Sequence, residues 1–143
     1  MPDYVTDVKT ITLAGAKRVA DAALAEAADN DARVVVVVIN ATGGVVLIHR
    51  MDHVVELALD NATAKARGAL TFKRSTGELS EYFQQDRSLG PPMTARSGIL
   101  AVEGGELLKT SDGTIVGALG ISGAHHSVDH KCASAGAAAL ASA

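Results

Sequence analysis

The chain holds one short stretch where residue type and spacing suggest chemistry. Gly117, Gly120 and Gly123 recur at every third position, and His125, His126, Asp129 and His130 follow. Glycines at this spacing remove Cβ atoms where something must approach the backbone closely. A helix opening after Ala124 presents unpaired N–H groups and the positive end of its dipole there. His126 and His130 stand at i and i+4, so on a helix they share a face and can grip one metal ion. Ser127 occupies the place next to the first histidine where a zinc peptidase carries glutamate. A histidine at a helix N-terminus is discouraged from protonation, which suits a neutral base or an axial ligand. The plainer reading is a pair of exposed histidines, with Asp129 answering the dipole.

Other positions carry weaker signals. Ala58, Ala62, Lys65 and Ala69 follow +4, +3 and +4, so Lys65 interrupts a face of small residues that should pack inward. Such a lysine either snorkels to an edge or meets an anionic group in a cavity. Arg50 and Asp52 flank Met51 and share a face by the period of a strand, as an ion pair or as ligand contacts. Glu78 and Glu81, at i and i+3, form either a cation site or an ordinary solvated helix face. The glycine run lacks the G-x-G-x-x-G pattern of dinucleotide binding, and no phosphate-binding Gly-Lys-Ser/Thr occurs. Cys132 reads as a small core residue rather than a nucleophile.

The elements that position these residues follow from periodicity. Thr12 caps a first helix running to about Asn30. Val34 to Ile39 reads as a strand buried on both faces, and Val45 to His49 returns antiparallel across the Asn40–Gly44 turn. A second helix spans roughly Val54 to Leu70, and a short one Thr76 to Gln85. Asp86 to Pro92 reads as a loop in which Pro91-Pro92 forbid helix. Strands follow near Gly98–Val102, Leu107–Thr110 and Ile115–Leu119, the last two joined at Asp112-Gly113. The final helix begins near Ser127 and dissolves into Ala-rich sequence. The order α-β-β-α-α-β-β-β-α predicts an α/β (α+β) fold, a single domain over 1–143 with a five-stranded, mainly antiparallel sheet flanked by helices.

Composition bounds the function. Among 143 residues 48% are apolar but only 3% aromatic, so Val, Ile, Leu and Ala must build the core through close approach of helices and sheet. The net charge of −3 provides no basic face for nucleic acid. The longest apolar run, Val34 to Ile39, is far too short to span a membrane. A single cysteine and a polar amino terminus point to a cytoplasmic protein. The Ala-rich first and last helices predict self-association into a dimer or larger symmetric oligomer.

Taken together, Gly43-Gly44, Arg50-Met51-Asp52, Ala62-x-x-Lys65-Ala66-x-x-Ala69-x-x-Phe72-x-x-x-Thr76, Gly104-Gly105, Val116 to Gly123 and Asp129 resemble the GlcG/HbpS-type family of haem-binding and haem-degrading proteins. The carboxy-terminal domain of certain propanediol-utilisation corrinoid adenosyltransferases belongs to the same family. The resemblance spans about residues 11 to 140. It implies a loosely profilin-like five-stranded α/β domain, self-assembly, and haem as a cofactor in some members. This chain departs at Glu106-Leu107-Leu108, where relatives carry a proline, and at the histidine pair. The histidine near the start of the first helix that ligates haem in some members is absent, since Lys9 to Ala28 contains none.

Two functions follow. In the first, the chain binds haem or another flat anionic small molecule. Arg50, Asp52, Lys65, Gly120, Gly123, His126 and Asp129 form that site, and a carboxylate of the ligand bridges Lys65 and His126. In the second, it is a small catabolic isomerase or lyase acting on a carboxylated or carbonyl substrate. There His125 or His126 moves a proton, and Lys65 stabilises enolate charge.

Overall fold

The computed structural model describes residues 2–143. Among these residues there are nine elements: α1 (Leu13–Asp29), β1 (Val35–Asn40), β2 (Val45–Arg50), α2 (Leu57–Phe72), α3 (Thr76–Gln85), α4 (Gly90–Ser97), β3 (Gly105–Lys109), β4 (Ile115–Ser122) and α5 (His126–Ala141). The strands form one antiparallel sheet of four, in the order β2-β1-β4-β3.

β1 is apolar from Val35 to Ile39 because it lies inside the sheet with both faces covered. Val34, Val36 and Val38 pack with Val19, Ala23, Cys132 and Ala133 of α1 and α5. Val35, Val37 and Ile39 pack with Ala58, Ala62, Ala66 and Ala69 of α2. Alanine and glycine at these contacts let backbone approach backbone. A Cβ on Gly120 of β4 would overlap the Ala62 carbonyl oxygen, and one on Gly136 of α5 would lie 2.8 Å from Leu119 Cδ1. The neighbour that Gly120 admits is therefore the protein's own α2, and Gly117 gives the same room to the Ile39 carbonyl of β1.

The helix expected from Thr12 to Asn30 forms as read. The Thr12 hydroxyl accepts from the Gly15 amide at 3.1 Å. Three expectations need correction. The sheet has four strands, not five: no strand forms over 98–102. Gly98, at φ +72°, ends α4 in the left-handed conformation. Ile99 then turns inward to pack with Leu79 and Phe83, and β3 starts only after Gly104, at φ +124°. Pro91 and Pro92 do not forbid helix but open one, because first-turn residues have no intrahelical N–H bond to lose. The Ala-rich tail does not dissolve. α5 continues to Ala141, held by the packing of Cys132, Ala133 and Gly136.

Candidate functional site

The start of α5 is built from both sides of the sheet. β4 ends at Ser122, and Gly123 turns the chain at φ +126°. A Cβ on Gly123 would sit 2.6 Å from the Arg33 carbonyl, so the turn is pressed against the chain leading into β1. His125 is the N-cap: its Nδ1 accepts from the Ser127 amide at 3.2 Å and lies 2.8 Å from the Ser127 hydroxyl. His126 stacks on it, with ring centroids 4.1 Å apart.

Beneath this turn lies a buried ion pair. Lys65, only 3% exposed, extends its Nζ from α2 to Asp129 Oδ2 at 3.1 Å and donates to the Ile121 carbonyl at 2.9 Å. Asp129 Oδ1 accepts from the Ala124 amide at 3.2 Å. Burial pushes the Asp129 carboxyl above its ordinary value, while the Lys65 ammonium and the Ala124 N–H oppose that shift. A Cβ on Gly104 would lie 2.9 Å from Lys65 Nζ and 3.0 Å from Asp129 Cβ, so this glycine makes room for the pair. Lys65 thus neither snorkels nor waits for a ligand. The carboxylate bridging α2 to the last helix belongs to Asp129 itself.

Above the pair, Glu103 faces two histidines: His126 Nδ1 lies 3.6 Å from its Oε1, and His130 Nδ1 lies 4.0 Å from its Oε2. The two histidines do share a helix face as their spacing requires, and what they share is a carboxylate. Among the described residues, no group of three or more His, Cys, Asp or Glu side chains is placed to hold a metal ion. With its Nδ1 toward Glu103, the half-exposed His126 keeps Nε2 free. His126 and Glu103 open onto a cavity of about 500 Å³ also lined by Ser80, Glu81 and Gln84 of α3.

The remaining candidates fall elsewhere. Arg50 does not pair with Asp52. Its guanidinium bonds Glu56 and the Val54 carbonyl, because the turn after β2 brings the start of α2 closer than the neighbouring acid. Arg50 and Asp52 line a separate shallow cavity with Ile48 and Met51. Arg50 pairs across the sheet with Val35, and Val35 with Ser122, so Arg50 stands two strands, about 10 Å, from the strand that delivers α5. Gly120 is buried under α2 and offers no open surface. Glu81 borders the His126 cavity, whereas Glu78 does not. Glu103 was missed by sequence reasoning. Its one signal was its place beside Gly104-Gly105, the turn that aims it at α5.

A four-stranded antiparallel sheet between two helical layers, with a histidine-bearing helix start, defines the class. The family model for "haem degrading protein HbpS-like" matches residues 11–138, and the chain belongs to this HbpS-like family. A 15.0 kDa protein encoded between dhaT and dhaS in Citrobacter freundii is 32% identical over 116 residues, which is 81% of this chain and 82% of that one. Among solved structures, Klebsiella pneumoniae ORFY superposes with a TM-score of 0.91 at 27% identity, covering 100% of this chain and 99% of that one. A double mutant of Streptomyces reticuli HbpS gives 0.86 at 28% identity, covering 98% and 93%. The haem complex of PduOC gives 0.82 at 26% identity, covering 92% and 95%.

Proposed function

We propose that this chain binds a small flat ligand of haem's chemistry, with His126 the residue that would hold it through a ring nitrogen. The observation that carries the reading is the Glu103–His126 couple at the mouth of a cavity. At 3.6 Å the Glu103 carboxylate is an ion-pair-range neighbour of Nδ1, close enough to accept a hydrogen bond from it once Nε2 engages a ligand, as carboxylates commonly do for ligating imidazoles. Family membership and the haem complex of a structural neighbour support it. Because α1 contains no histidine, the nitrogen ligand in this reading comes from another element, and α5 with its N-cap offers three: His125, His126 and His130. His125 uses its Nδ1 to cap the helix, and His130 lies farther from Glu103, so His126 is the best-prepared of the three. Haem would supply its iron for ligation or redox chemistry; the chain's part is to orient it and to hold Glu103 against His126.

The test is a titration of purified protein with hemin, read at the Soret band. A saturable shift in the wild type that His126→Ala removes, and His125→Ala or His130→Ala leaves, is expected. No shift in the wild type would end the reading. The same His126–Glu103 couple also suits a general base, so an isomerase or lyase acting on a carboxylated or carbonyl substrate is the second reading.

The chain self-associates in this account, though not through its Ala-rich helices, which pack on each other and the sheet. Exposed apolar side chains cluster instead at Val45 and Ile48 of edge strand β2 and at Val55 and Leu57, just before and at the start of α2, with Leu13 the large exposed one on α1.

A further inference from the structure

We infer that the cleft between α3 and α4 is a second binding site, separate from the His126 cavity, for a flat aromatic monocarboxylate whose carboxylate meets Arg87. The cleft holds about 630 Å³, within the range of small-molecule sites. Helical spacing sets it apart from the cavity at His126. Ser80 and Gln84, one turn apart and joined by a 3.3 Å hydrogen bond, form a ridge on α3. Glu81 lies on the His126 side of that ridge, and Phe83 lies on the other.

The apolar part of the cleft is fixed by packing. Phe83, itself buried, forms the floor and stands edge-on to Phe72, with ring centroids 5.4 Å apart. α4 closes on it through bare backbone, since a Cβ on Gly90 would come within 2.9 Å of the Phe83 Cβ. Ala95 and Ala101 contribute only methyl groups, which leaves room for a flat ring to bury a face against them and Phe83. Charge selects the rest of the ligand. Among the described residues, Arg87 is the one charged side chain lining the cleft, and it is exposed and in no ion pair. The neighbouring Asp86 turns back on its own loop, where it accepts from the Ser88 amide at 3.2 Å and from the Ser88 hydroxyl. Arg74, just before α3, is by contrast already engaged, stacked 4.8 Å from the centre of the Tyr82 ring. One guanidinium beside an apolar floor, with Ser80, Gln84 and Thr94 as neutral polar groups, matches one carboxylate on one ring system. An ammonium group or a second carboxylate finds no partner of opposite charge there.

Naphthoate, naphthamide and naphthylmethylammonium share one ring system and differ in charge. Equilibrium dialysis of the three against wild type, Arg87→Leu, Arg87→Glu, Ala95→Trp and His126→Ala tests the site. The wild type should prefer naphthoate to the amide by about fivefold, the scale of a charge contact open to water. The ammonium should bind last, and high salt should narrow the differences. Arg87→Leu should level the three affinities, and Arg87→Glu should put the ammonium first. Ala95→Trp, whose indole fills the cleft, should lose all three. Arg87 and Ala95 are exposed, so thermal melts of their variants should stay at the wild-type value. His126→Ala should bind as the wild type does, which keeps this site independent of the haem reading; a loss there would place the probe in the other cavity and overturn the assignment. Absence of saturable naphthoate binding, the wild-type order of affinities in both Arg87 variants, or wild-type affinities in Ala95→Trp would overturn it equally.

Discussion

Replacing Lys65 with methionine should unfold this protein more easily than almost any other single change outside the hydrophobic core. Lys65 and Asp129 are 3% and 2% exposed, and the pair spans α2 and α5 across the end of the sheet. Lys65→Met keeps the length of the side chain but leaves the Asp129 carboxylate buried without a counter-charge and the Ile121 carbonyl without its donor. Breaking a buried pair by removing one partner costs about 3–5 kcal/mol, because the survivor keeps its desolvation penalty. That is a large part of a typical total of about 5–15 kcal/mol. At roughly 3–4 °C per kcal/mol for a chain of this size, the melting temperature should fall by about 10–20 °C. Asp129→Asn in the same background removes the stranded charge and still accepts from the Ala124 amide, so Lys65→Met/Asp129→Asn should recover half or more of the loss. The assay is a double-mutant cycle by urea unfolding and calorimetry. A Lys65→Met melt within about 3 °C of wild type, or single losses that simply add in the double variant, would refute the reasoning.

Three further outcomes follow from the same packing and charge arguments. Gly120→Ala should yield no folded protein, because its Cβ overlaps the Ala62 carbonyl; Gly98→Ala, with open space around it, should cost only about 1–2 kcal/mol of backbone strain by denaturant unfolding. The Cys132 thiol, pushed up to about 11 chiefly by burial and then by Asp129 and Glu26, should resist thiol reagents until denaturant is added, and because its folded value is raised from 9.0, its contribution to stability should be lost as pH rises between those values. Asp112 is held at about 2 by the Thr110 and Thr114 hydroxyls and the Thr114 amide. A depressed carboxyl stabilises the fold above its ordinary 3.8 and stops doing so as pH falls toward the folded value, so Asp112→Asn should flatten acid unfolding profiles in that window.

Much of the scaffold was readable because local signals and tertiary packing agree. Thr12 caps α1, the valine run of β1 requires cover on both faces, and Asp112-Gly113 turns the β3–β4 hairpin. Misreadings arose where one residue type has two positional meanings. Proline stops a helix in its interior and starts one in its first turn, so Pro91-Pro92 did not mark a loop. Ile99 is apolar enough for a strand, yet it serves as a plug between Leu79 and Phe83. At the site, sequence spacing brought His126 and His130 onto one face of α5 and singled out Lys65 and Asp129. Spacing along the chain carries no information about which elements meet in space. Lys65 and Asp129 are 64 positions apart, so their satisfying one another was invisible. Glu103 was hidden for the same reason, since only the Gly104 turn aims it at α5.

The central claim is that His126, oriented by Glu103, is a nitrogen ligand. The most direct measurement is pulsed electron paramagnetic resonance of the ferric haem complex, with the protein's histidines labelled with nitrogen-15. A labelled imidazole coupling is expected in the wild type, persisting in His125→Ala and His130→Ala and vanishing in His126→Ala. An undiminished coupling in His126→Ala, or none in the wild type, would contradict it.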